Sequence, residues 1–113
     1  MNAVAASPLA PFHVRITHDR DEVVVAPAGE LDLASAALLE RELRELPGDV
    51  ERVVVDLRGV EFIDSTGLRL LLSVRNDAKR ARRRLNVVPG PPRVQRIFEL
   101  TATRGLFDWA EAG

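Results

Sequence analysis

The 113-residue chain contains no cysteine. That excludes disulfides, thiol catalysis and metal sites built on Cys ligands. Histidine is scarce too. His13 and His18 lie five apart near the N-terminus, with no cluster of acids timed to them, and a metal needs several ligands at once. Both are read as structural or solvent-facing, and no metal site is assigned. The one lysine, Lys79, lies far from any G-x-x-x-x-G-K-[ST] pattern, which is absent, so no phosphate-cradling loop is present. Charge of one sign is also lacking. The formal net charge is -1, which gives no broad electrostatic footprint for nucleic acid. No apolar run approaches the roughly 18 residues of a membrane span. The start, MNAVAASPLAP, has neither a basic segment nor a long apolar stretch and is a poor signal peptide. Residues 1–11 are expected to be a flexible Ala/Pro tail on a cytoplasmic protein, with one domain over 12–113.

What is present fits that single domain. Hydrophobic residues make up 46% and charged residues 29%, enough for a core without staples. FHVRITHD alternates, with Phe12, Val14 and Ile16 on one side, and predicts a half-buried strand. Asp19 to Asp21 supply a turn into a second strand, EVVVAPAGEL. Pro27 predicts that this strand lies at an edge or carries a bulge there. The two strands predict an antiparallel hairpin.

Asp32 or Ser35 can cap a helix in which Ala36, Leu39, Leu43 and Leu46 recur at helical spacing. Glu40 and Arg44 are four apart in the favourable order. PGD stops the helix. RVVVDL reads as a strand buried on both faces, as in a parallel sheet. From Gly67 the period turns helical. Gly67, Leu70, Leu71, Val74, Ala78 and Ala81 share one face, Arg69, Ser73, Asn76 and Arg80 the other, and Leu68 and Leu72 fall on the flank towards Ser65. The basic run KRARRR complements the negative end of the helix dipole and reads as a solvated end, since it has no aromatic stacking partners for nucleic acid. LNVV predicts another buried strand. PGPP opens a third helix with Val94, Ile97, Phe98 and Thr101 in register, and Gly105 ends it. LFDW reads as a short terminal strand or extension with Trp109 as an anchor. The order ββαβαβα, with a possible final strand, predicts an α/β domain: a mixed, mainly parallel sheet of four to five strands and three or more helices.

The stretch between strand and second helix, EFIDSTGLRLLL, carries the candidate chemistry. Catalysis by Ser65 would need a base and an orienting group, yet no G-x-S-x-G or triad signature accompanies it. Asp32, Asp56 and Asp64 show no pairing suited to hydrolysis. The chain is therefore read as a non-enzyme, with a small Ser65 hydrolase as the weakest of three readings. Asp64, Ser65 and Thr66 are all good helix-capping residues. A hydroxyl there also faces backbone N–H groups and the positive end of the dipole, where a phosphate is tolerated.

VVVDLRGVEFIDSTGLRLLL closely resembles the signature of anti-sigma factor antagonists, small bacterial proteins of the STAS domain family. GELD (Gly29 to Asp32), LNVVPGPPRVQRIFELT and GLF agree in order and spacing, and the resemblance covers roughly residues 12–109. It departs at DWAEAG, where many members add a last helix. The resemblance implies a partner switch. The unphosphorylated protein binds an anti-sigma factor that is also a serine kinase, and the sigma factor is released. The kinase, with ATP and magnesium, then phosphorylates the serine after the motif's aspartate, and a metal-dependent serine phosphatase resets it. By motif the acceptor is Ser65. Partner contacts are expected from Asp32, Asp64, Ser65, Thr66, Gly67, Leu68, Arg69 and Leu72. No cofactor of the chain's own and no direct nucleic-acid contact are implied. A monomer is expected, with the hairpin edge as a possible dimer site. Free-standing STAS proteins of lipid-transport systems look similar, so the alternative is a STAS subunit of a transporter or stress-sensing assembly.

Overall fold

The computed structural model describes residues 11–110, so the tail expected over 1–11 lies, up to residue 10, outside the described residues. Strands β1 (His13–Asp19) and β2 (Glu22–Leu31) form the antiparallel hairpin, with Asp19 opposite Glu22 and Arg20 at φ 60 in the turn. Helix α1 (Leu33–Arg44) leads to β3 (Arg52–Asp56) and β4 (Val60–Ile63). Then come α2 (Ser65–Arg80), β5 (Arg84–Val88) and α3 (Pro92–Leu100). The sheet runs β1-β2-β3-β5, parallel except for the hairpin, and among the described residues β4 pairs with β2 alone. The mixed, mainly parallel α/β sheet is therefore as expected, with a fifth strand added.

That fifth strand explains Pro27. Pro27 is fully buried in a central strand, not at an edge. The first half of β2 pairs with β3 up to Val25–Val55, and its second half pairs with β4 from Gly29–Val60. Gly29 N–H donates to Gly59 O on that side at 3.0 Å. Pro27, two residues earlier, points its missing N–H the same way, into the gap between the two partners, where no ladder bond is required. The register irregularity falls at Gly29/Glu30 rather than at Pro27.

The core lies on one face of the sheet. Val23, Val25, Val53, Val55 and Val87 point into it and meet Ala36 and Leu39 of α1, Leu70 and Leu71 of α2, and Val94 and Phe98 of α3. Val54 is 8% exposed but stands outside this cluster. Its register neighbours, Val24 and Asn86, share the opposite face. There Arg52 links Glu22 (3.0 Å) and Asn86 (2.8 Å) across three strands. β3 is thus covered by helices on one face and by polar side chains on the other, not by a second apolar layer. Phe98 is fully buried and meets Phe107 and Trp109 edge-on, at 5.4 and 5.0 Å. Residues Arg104–Leu106 make a 3₁₀ turn, and Trp109 then forms a single parallel bridge to Val87 in place of a full last strand. No helix among the described residues is long and apolar enough to cross a membrane.

Candidate functional site

The starts of α1 and α2 lie side by side because Leu31 pairs with Ile63. Asp32 follows the first and Asp64 the second. Asp32 accepts from the N–H groups of Ala34 (3.0 Å) and Ser35 (3.2 Å). Ser35 Oγ accepts from Asp32 N–H at 2.9 Å and donates to Glu30 O at 2.6 Å. Both residues named as alternative caps therefore act together, as a closed box.

Asp64 does the same work on α2. Its carboxylate accepts from Gly67 N–H at 2.9 Å, its own N–H donates to Leu31 O at 3.2 Å, and its C=O accepts from Leu68 N–H at 3.0 Å. Gly67 is required by the close approach that results. A Cβ there would sit 2.7 Å from Leu31 O and 2.9 Å from Leu31 Cγ. With the cap supplied by Asp64, Ser65 has no structural duty. Its side chain is exposed and makes no hydrogen bond among the described residues. Thr66 is half-buried beside it.

The structure separates the remaining expected contacts. Arg69, one turn on from Ser65, is exposed, and Leu72 is half-buried at the rim of the core. Leu68 is 6% exposed and belongs to the core, so its side chain is not on the flank where the sequence reading set it. The apolar stripe of α2 is wide enough to take it in, because the adjoining Gly67 lets the helix sit close to β2 and β4. Two exposed apolar side chains at this end were not singled out: Leu33, 75% exposed at the start of α1, and Phe62, 49% exposed opposite Glu30. The V-E-F-I strand buries only its first and last residues, so alternation gives no sign that Phe62 faces out. The local charge is acidic, with Glu30, Asp32 and Glu61 lining a cleft of about 350 Å³ beside α1. Both histidines lie on β1, which among the described residues pairs only with β2. Among the described residues no group of three or more His, Cys, Asp or Glu is placed to hold a metal ion.

A family model described as "Mlab, STAS domain" matches residues 14–108. The anti-sigma-B factor antagonist of Staphylococcus aureus is 31% identical over 83 residues, covering 73% of this chain and 77% of that protein. The chain belongs to the anti-sigma factor antagonist family of STAS domains. Among solved structures, an anti-sigma factor antagonist from Mycobacterium paratuberculosis superposes on this antagonist with a TM-score of 0.78 at 26% identity, over 88% of this chain and 85% of that one. The Bacillus cell fate determinant SpoIIAA in its phosphorylated form shares the fold, at TM-score 0.69 and 20% identity over 91% and 92% of the chains.

Proposed function

We propose that this antagonist is a binding module switched by phosphorylation of Ser65. The unphosphorylated form binds an anti-sigma factor that is a serine kinase and thereby frees the sigma factor. Transfer of phosphate to Ser65 Oγ, with ATP and magnesium brought by the kinase, dissolves the complex, and a serine phosphatase restores it. The observation that carries this reading is the idle hydroxyl. Asp64 caps α2, and Ser65 stands exposed beside it with no partner among the described residues. The phosphorylated SpoIIAA structure adds support at the level of a shared fold.

The chemistry follows from charge. A phosphate adds about -1.5 to -2 charge units. At a helix start, that charge is favoured by the dipole and by unpaired N–H groups, so the fold tolerates it. A packed interface does not, because the phosphate stands next to Asp64 and must be desolvated there. The contact surface we assign is Asp32, Asp64, Ser65, Thr66, Arg69 and Leu72, extended by Leu33 and Phe62. Gly67 and Leu68 serve beneath it by seating α2.

The test is capture of partners from lysate by wild type, Ser65→Ala and Ser65→Asp. Ser65→Ala is expected to retain the kinase when ATP is added, wild type to release it, and Ser65→Asp to capture little. Equal capture by all three, or a phosphopeptide map with all label on Thr66, would overturn the assignment. A second reading is a STAS subunit of a transporter or stress-sensing assembly, since the matching family model is described by its STAS domain and not by a sigma factor. In that case transporter subunits would be captured, regardless of residue 65.

A further inference from the structure

The main path of the sheet ends on β5 and β1, with β4 a further short strand paired with β2 alone among the described residues. β5 is bridged by the chain itself at Val87, whose N–H donates to Asp108 O at 2.9 Å and whose C=O accepts from Ala110 N–H at 2.8 Å. β1 pairs with β2 alone among the described residues. Which of its backbone groups are left over can be worked out. Asp21 O accepts from Arg52 N–H at 3.2 Å, and Gly29 N–H donates to Gly59 O at 3.0 Å. Odd-numbered residues of β2 therefore bond towards β3 and β4, and even-numbered ones towards β1. The register sets Val24 against Thr17 and Ala26 against Arg15, so the odd residues of β1 bond to β2. The N–H and C=O groups of Val14, Ile16 and His18 point outward.

This edge has no proline, no lysine and no bulge over its seven residues, and its charged side chains are limited to Arg15 and Asp19 beside two histidines. Val14 and Ile16 are half-buried at the rim of the core, which ends there unfinished.

We propose that β1 pairs antiparallel with β1 of a second copy, about a two-fold axis through Ile16. This register overlaps all seven residues. It joins the outward groups of Val14 to those of His18 and of Ile16 to its twin, two hydrogen bonds for each such pair. It also sets His13 opposite Asp19 and Arg15 opposite Thr17, so no like charges face each other. Centring on Arg15 would oppose two guanidiniums. Centring on Thr17 would leave Val14 facing Arg20 of the turn. Both apolar rims then meet across the seam, and the core continues from one copy to the other. Because the two β2 strands run in opposite directions, the two Ser65 sites lie at opposite ends of the joined sheet. Each copy can engage its own partner, which makes the dimer bivalent.

The absence of native cysteine makes a clean test possible. Arg15 and Thr17 are both exposed, and in this register they form a wide pair with Cβ atoms about 4.5–5.5 Å apart. Arg15→Cys and Thr17→Cys proteins, mixed and mildly oxidised, are expected to give a cross-linked dimer that neither gives alone. Wild type is expected to sediment at twice the 12.5 kDa of one chain as concentration rises. A single-chain mass at every concentration overturns the proposal, and Thr17→Cys cross-linking to itself overturns the register.

Discussion

Replacing Gly67 with alanine sets two effects of known size against each other. In a helix interior, alanine is favoured over glycine by about 1 kcal/mol. Against this stands the space. The new Cβ would lie 2.7 Å from Leu31 O, 2.9 Å from Leu31 Cγ and 3.0 Å from Ile63 Cγ1. Overpacking a tight site costs about 1–3 kcal/mol. The upper end applies, because the nearest atom is a backbone carbonyl of a central strand, not the end of a flexible side chain. That carbonyl also accepts from Asp64 N–H, so it cannot retreat without disturbing the cap. The net expectation is a loss of about 2 kcal/mol. At about 4–8 °C per kcal/mol for a domain somewhat smaller than this one, the midpoint should drop by roughly 10 °C. Urea and thermal unfolding followed by Trp109 fluorescence measure it. Gly105→Ala is the control, since a Cβ there meets nothing within 4 Å, and it should be neutral or slightly stabilising. A Gly67→Ala protein as stable as wild type would refute the claim that α2 is seated by this contact.

Other outcomes are expected from the same geometry. Asp64→Ala removes the carboxylate that caps α2 and should cost about 1 kcal/mol in urea unfolding, whereas Ser65→Ala should change stability by less than about 0.5 kcal/mol. Equal losses would mean that Ser65 shares the capping. Phe62→Ala and Leu33→Ala should leave the unfolding midpoint within about 0.5 kcal/mol of wild type, because both side chains are exposed, yet reduce partner capture severalfold. The Arg58 guanidinium hydrogen-bonds the Asp56 carboxylate and holds its pKa below the ordinary 3.8. A depressed folded-state pKa gives stability that is present above the unfolded value and is lost as pH falls through the folded one. Midpoints of wild type and Asp56→Asn should therefore differ above pH 3.8 and converge below it, and a constant gap across that range would contradict the assignment.

Periodicity and caps carried most of the fold. The three helices and the hairpin start where spacing put them, although α3 ends at Leu100 with Thr101 as its cap and Gly105 belongs to the following 3₁₀ turn, and the Glu40–Arg44 pair closes at 3.0 Å as its order implies. β4 was not legible as a separate strand, because four residues with only the ends buried leave no alternation to read. Pro27 misled for a related reason. A rule about ladder donors assumes one continuous partner, and β2 changes partner at that point. The valine run of β3 reads alike whether its second face meets helices or, as here, an Arg52 bridge to Glu22 and Asn86. At the site, the capping role of Asp64 was legible from residue type. The burial of Leu68 was not, since helical angles place a side chain on a flank but cannot say how closely the helix approaches the sheet. That distance is set by Gly67, through atoms far away in sequence.

The bonds made by Asp64 also bear on how such a switch can change over generations. Everything that fixes the position of residue 65 comes from the backbone and from the aspartate before it. The side chain at 65 is free to become alanine, threonine or a permanent acid while the surrounding atoms keep their places. Under the proposed Ser65 switch, a lineage can therefore gain, silence or lock the signal by single substitutions, each step passing through a folded protein.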